Sequence, residues 1–392
     1  MKSAWLCWGM LSGFAALGAL PEPKFRAVNV DTNVAIGYGI AVADVDGDKR
    51  PDIVLCDKNQ IAWYRNPSWE KFVIAENLTP KDHVCVAAAD IDGDGKAEIA
   101  VGAEWNPGDT VDSGAVFYLI APADRTQRWE PVKLPHEPTV HRMRWMKDDR
   151  GQFELVVVPL HGRGNNAQTG EGEAVKILRY VRPADPRTSW TVTPMTQPSW
   201  TRLHKTHNFD PIPVRQASAD IMAVAAKEGV FLVPDGSPTQ ITLIGTNAIG
   251  GAGEVRRGKL PGKGFFAAVE PMHGNTLSVY LPGLTSSAPF ERLVLDESLV
   301  DGHALACGDL LGLGRDQVVV GWRAMNRPGV KVGLRLYTPL DATGKEWRMT
   351  PVDDNTMACE DLALADLNLD GRLDIIAAGR ATKNLKIWFN EP

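Results

Sequence analysis

The segment Asp90-Ile-Asp-Gly-Asp-Gly-Lys-Ala-Glu98 sets carboxylates at its first, third, fifth and ninth positions, with glycines between them. Oxygen ligands at alternate positions of a tight loop suit a hard cation such as Ca2+. The same spacing returns at Asp44, Asp46, Asp48 and Asp52, and again at Asp366, Asn368, Asp370 and Asp374. With Asp90, Asp92, Asp94 and Glu98, these are the expected calcium ligands. Weaker copies occur at CGDLLGLGRDQVVVG, which keeps Asp309, and at MKDDRGQFELVVV, which ends in Glu154. For those copies, acidic surface turns without metal are the better reading.

Such loops need rigid elements on both sides. Val-Cys-Val-Ala-Ala-Ala precedes Asp90 and Ile-Ala-Val-Gly follows Glu98, so the unit is strand, ion loop, strand. Its recurrence at roughly 45–60 residues points to a propeller or solenoid. Further segments read as half-buried outer strands: those starting at Trp69, Trp129, Trp190, Phe290 and Trp347, and Gln240-Ile-Thr-Leu-Ile without the aromatic. The strand before each ends near a proline, and there are seven such prolines: Pro67, Pro122, Pro183, Pro234, Pro282, Pro339 and Pro392. Proline is expected just past a strand, where no ladder donor is needed. The last unit stops after three strands. Lys24-Phe-Arg-Ala-Val28 has no partner before it, so it is expected to supply the fourth and remove an exposed edge. The fold class is all-β: a seven-bladed β-propeller whose last blade is closed by the N-terminal strand.

The chain has 392 residues and a net charge of −6 with mixed signs, which argues against a nucleic-acid or anionic-membrane partner. Met1 to Leu20 combine Lys2 with a short apolar run and read as a signal peptide, in preference to a retained anchor. Cys7 lies too near the start for a lipid-attachment box. The expected organisation is a signal at 1–20 and one propeller domain at 21–392, secreted or periplasmic, where calcium is plentiful, with no membrane association after signal removal. Cys56, Cys85, Cys307 and Cys359 remain. Their even count permits disulfides in an oxidising compartment, but reduced, buried thiols are the expectation.

If the ion loops occupy one face, two sets of segments share the other. Those entering first strands contain His83, His141, His204, His207, Glu254, His303 and the pair Glu360-Asp361. Those leaving second strands contain Glu104-Trp105, His161-Gly-Arg163, Glu270, His273, Trp322-Arg323 and Arg380. Seven of the eight histidines thus fall on one rim. A single rim histidine reads most simply as a hydrogen-bonded loop residue. Together, imidazoles suit Zn2+ or a similar transition metal, and the glutamates and arginines add acid–base and anion-stabilising groups. The blades differ from one another on this face, which favours one asymmetric catalytic site over repeated binding sites.

The ion-loop repeats resemble the FG-GAP/VCBS class. The rim segments HRMRW (141–145), PLHGRG (159–164), HNF (207–209), GAGEVRRG (251–258), EPMHG (270–274), GHAL (302–305) and AGRATKN (378–384) are similar to the propeller of the aldos-2-ulose dehydratase family and its bacterial relatives. That resemblance implies metal-assisted β-elimination on an oxidised sugar, such as a keto-sugar or 3-keto-glycoside. A base would take the proton beside a ketone, an acid would assist the leaving group, and a divalent metal would act as Lewis acid. The fungal member of that family carries cupin-like domains after its propeller; they are not expected in this chain, nor is any activity that belongs to them.

On this reading His83, His141 and His207, at first-strand entrances, are the expected transition-metal ligands. His161 and His303 are the expected base and acid, with Glu254 and Glu360 as alternatives or supports. Arg163 and Arg323 would hold hydroxyl or enolate oxygens, and Trp105, Glu270, His273, Trp322 and Arg380 would contact a small sugar substrate. Two other functions stay open at this stage. One is a polysaccharide lyase or hydrolase with aromatic platforms at Trp105 and Trp322; the other is a non-catalytic, calcium-stabilised propeller that binds carbohydrate or protein. No glycine-rich dinucleotide fingerprint is present.

Overall fold

A computed structural model of the chain describes residues 20–195, 203–214, 219–234, 241–245, 250–283, 285, 288–325 and 327–392. The expected signal segment falls almost wholly outside the described residues, as does Gln240. Seven four-stranded antiparallel sheets surround a central channel, and no helix occurs among the described residues. The innermost strands are Gly39–Ala43, Cys85–Ala89, Val140–Lys147, Thr206–Pro213, Glu254–Leu260, Gly302–Gly308 and Cys359–Ala365, opening blades one to seven in turn.

Each blade's second strand is packed between neighbouring blades, so it reads as an unbroken apolar run. Glu98–Ala103 and Asp374–Gly379 are buried at every position. Outer strands have one wet face and alternate, as in Lys24–Asp31. That N-terminal strand pairs antiparallel with Asn384–Glu391, from Lys24 opposite Glu391 to Val28 opposite Ile387, and closes the seventh blade as expected. Closure leaves no inner sheet edge open to another chain. All four described cysteines are free thiols.

The acidic loops join first to second strands, which fixes them on the face away from the rim. In the first two loops, one carboxylate oxygen from each of Asp44, Asp46 and Asp48, and likewise from Asp90, Asp92 and Asp94, lies within 4.8 Å of the others. Gly93 and Gly95, at φ of 82° and 85°, supply the left-handed turns this needs. In the third loop the Asn368 amide donates to Asp370 at 2.9 Å, and Arg372 also pairs with Asp370.

The ninth position departs from expectation. Asp52 accepts the backbone N–H of Val45 at 2.9 Å and of Asn66 at 2.8 Å, and Asp374 does the same for Leu367 and Asn390 at 3.0 and 2.9 Å. Glu98 accepts from Ile91 at 3.1 Å. In the degenerate copy at Asp309 the corresponding residue is Gln317, whose neutral amide oxygen accepts from Leu311 at 2.9 Å. A neutral residue making the same bond identifies the position as a clamp tying the loop to the second strand. Asp52, Glu98 and Asp374 are therefore not brought into the acidic clusters.

Candidate active site

Four inner strands carry a β-bulge at the rim. The pairing passes from Val140 to Arg142, from Thr206 to Asn208, from Gly302 to Ala304 and from Cys359 to Asp361. The residues left unpaired are His141, His207, His303 and Glu360. A bulge re-aims the extra side chain, and here it turns each of them toward the channel mouth. The first two blades have no such shift, with Gly39 opposite Cys56 and Cys85 opposite Gly102.

One nitrogen from each of His207, His273 and His303 lies within 4.8 Å of the others. His207 Nδ1 donates to the Gly253 carbonyl at 2.8 Å, and His303 Nδ1 donates to the Glu360 carbonyl at 2.5 Å. Both bonds commit the proton to Nδ1 and leave Nε2 as a lone-pair donor, the tautomer a metal ligand requires. His273 Nε2 stands 2.7 Å from His207 Nε2, and its Nδ1 lies 3.8 Å from Asp301. Burial pushes His207 and His303 well below the ordinary range, and His273, whose side chain is 39% exposed, is lowered by desolvation and by neighbouring His207. His207 and His303, with their tautomers fixed, form together with His273 a donor set that fits a zinc-like ion.

Carboxylates brace this group from behind. Glu254 is buried, sits 3.2 Å from His207 Nδ1 and accepts from Asn208 at 2.7 Å. Glu360 is equally buried and receives Arg323 at 2.5 Å and Arg380 at 2.9 Å. Arg323 also donates to Asp301 at 3.0 Å. Burial works against its charge, but Glu360 and Asp301 outweigh that and hold it above the usual arginine range.

The histidines open into a cavity of about 430 Å3 whose lining includes Tyr38, Trp105, His141, Lys205, Arg323 and Arg380. That volume suits a small molecule. Trp105 stacks on His141 with centroids 4.8 Å apart, and His141 meets His207 edge-on at 4.6 Å. The Tyr38 hydroxyl donates to Asp82 at 2.9 Å, and burial together with Asp82 keeps it protonated. Among the described residues Lys205 reaches two carbonyls, Ala167 at 3.4 Å and Gln168 at 3.5 Å, and burial with Lys227 lowers its pKa.

The structure redistributes the expected roles. His83 receives the Leu78 N–H at Nε2, 3.3 Å away, and does not line the cavity. His141 has its Nε2 engaged by Arg142 at 3.0 Å, so it packs beside the three-histidine group without joining it. His273, expected on substrate, and His303, expected as acid or base, take the two vacated places. His161 is buried off the cavity, with neither ring nitrogen bonded. Arg163 lies on the surface, tied to Glu137 and the Val111 carbonyl.

Glu270 is an interior brace that accepts from Ser278, Tyr280 and Arg292. Trp322 is buried, with its indole N–H on the Lys331 carbonyl at 2.7 Å and Arg335 over its ring, so it offers no platform. Trp105, Arg323 and Arg380 do line the cavity. Tyr38, Arg142, Lys205 and Asp301 escaped the sequence reading. Arg142 stood within HRMRW, and Asp301 directly precedes Gly302-His303, so the quoted segments already bracketed both.

Comparison with known proteins accords with this architecture. An FG-GAP-like repeat matches residues 31–101 and an FG-GAP repeat matches 86–119. Aldos-2-ulose dehydratase of Phanerodontia chrysosporium is 24% identical over 387 aligned residues, which cover 88% of this chain and 40% of that protein. The chain thus spans about 40% of the length of the curated relative it matches. A chain of a mitotic checkpoint complex superposes with a TM-score of 0.57 at 12% identity, covering 99% of each chain. The Cps50 (Swd1) β-propeller domain of Myceliophteria thermophila gives 0.53 at 11%, covering 93% of this chain and 99% of that one. These two likenesses concern the fold alone. The chain is an FG-GAP-repeat, seven-bladed propeller similar to aldos-2-ulose dehydratase.

Proposed function

We propose that this protein is an exported carbon–oxygen lyase that performs β-elimination on a keto-sugar or 3-keto-glycoside, with calcium in its distal loops. The observation that carries the reading is the convergence of His207, His273 and His303 at one end of a small polar cavity, in a chain aligned along most of its length with a sugar dehydratase. These three residues would hold a divalent transition metal such as zinc, which when bound supplies a Lewis acid for a ketone oxygen.

The remaining work falls to side chains around the cavity. The stacked pair Trp105 and His141 gives a sugar ring a flat surface. Arg323 and Arg380, pinned by Glu360, face oxygens that gain negative charge as the proton beside the ketone leaves. Lys205 has a lowered pKa and no carboxylate partner among the described residues, which makes it the candidate base in place of His161. Tyr38 stays protonated and is the candidate acid for the departing β-oxygen. The C–H and C–O bonds break, a C=C bond forms, and the product is an enone. The cavity volume favours a small sugar, and the buried Trp322 does not supply the second platform that a polymer groove would use.

The test is incubation of the purified protein with 1,5-anhydrofructose and with a 3-keto-glucoside while enone absorbance is followed. Enone formation from either supports the assignment. Saturable sugar binding without product would turn it into a binding propeller.

A further inference from the structure

The inner strands continue past the histidine rim to the ion-loop face, and the channel opens there into a second cavity of about 390 Å3. Alternation along a strand puts every second side chain on the channel wall. Arg142 therefore serves the rim cavity, whereas Arg144, two residues on, lines the far mouth. The fifth blade repeats the pattern, with Glu254 behind His207 and Arg256 at the far mouth. Alanines such as Ala41, Ala87 and Ala363 on other blades make the room.

This mouth has donors in excess. Arg144 Nη1 reaches only the Met143 carbonyl, at 2.8 Å. Arg256 reaches the Val255 carbonyl at 2.7 Å and Glu254 at 3.5 Å. Each guanidinium carries five N–H donors, more than these contacts use. The Trp145 indole N–H, on a residue only 7% exposed that also lines the cavity, is likewise unbonded. One carboxylate, Asp210, lines the same space; it accepts the Arg257 backbone N–H at 2.8 Å and pairs with none of these guanidiniums within 4 Å among the described residues. Asp361, deeper in the channel, is tied to the Ile40 N–H at 2.8 Å. Burial pushes Asp210 upward against the pull of Arg256.

We propose that the ion-loop mouth of the channel is a binding site for a small oxyanion, a carboxylate or a phosphate, held by Arg144 and Arg256. Paired guanidiniums suit planar or tetrahedral oxyanions through bidentate, charge-assisted bonds. The site lies across the channel from the histidines and does not depend on their chemistry.

Calorimetric titration of the full chain with inorganic phosphate and, separately, with malonate at matched ionic strength tests this. The expected result is saturable binding of one of them at about one per chain, weakened about tenfold or more in Arg144→Met, as loss of a charge-assisted bond predicts. The tighter of the two ligands identifies the headgroup. Arg144→Lys, which keeps a charge but loses the bidentate fork, provides a second variant should Arg144→Met fold poorly; Arg256 is left intact because it touches Glu254. Absence of saturation with both ligands, or wild-type binding by the variants that fold, would overturn the proposal.

Discussion

Replacing Glu360 by glutamine separates two roles that one residue plays. Its backbone carbonyl fixes His303, whereas its carboxylate gathers Arg323 and Arg380. The substitution leaves the first intact and removes the charge from the second. Arg380 is 42% exposed, so its pair contributes little, at most about 1 kcal/mol. Arg323 is 12% exposed and its bond to Glu360 is charge-assisted, worth about 1.5–3 kcal/mol. The glutamine oxygen retains part of one bond, and Asp301 still neutralises Arg323. The expected loss is therefore about 2 kcal/mol, measured by urea unfolding followed through tryptophan fluorescence. Bound transition metal, measured by elemental analysis, should stay at the wild-type level, while turnover falls because both arginines lose their anchor. An unchanged unfolding midpoint with full turnover would refute this reasoning, as would loss of the metal.

Three further outcomes concern the rest of the molecule. Mild chelation should lower the melting temperature; Asp92→Asn should weaken calcium binding far more than Glu98→Gln, and equal effects in a calcium titration would restore the ninth position as a ligand. His161 is buried with its pKa pushed down to about 4, so the folded state binds fewer protons there than the unfolded chain does below about pH 6.5. Stability should therefore fall as pH drops from about 6.5 to about 4, and His161→Asn should flatten that slope in unfolding midpoints measured across the window.

The blades could be read from the chain because their signals repeat: a buried second strand, an alternating outer strand, a proline after the third. Closure by Lys24–Asp31 followed from counting strands. The rim was legible as a set of segments, since topology alone assigns entering and leaving loops to one face. Which histidines meet was not legible, because the selection is made by bulges. His207 and His303 are turned into the channel by an extra residue in their strands, whereas His83 precedes a strand that pairs without a shift. A bulge leaves no local pattern in side-chain polarity. His273 comes instead from a second-strand exit on the neighbouring blade, and only the closed ring brings it to His207. The ninth loop position misled for a related reason, since an acid that binds backbone amides looks in sequence like an acid that binds a cation; Gln317 was the clue.

The central claim is that His207, His273 and His303 hold one transition metal. Elemental analysis of the purified wild type beside His207→Ala, His303→Ala and His83→Ala tests it most directly. The account predicts about one transition metal per chain in the wild type and in His83→Ala, and loss of that metal in the other two. Metal retained after His207→Ala, or lost only after His83→Ala, would contradict it.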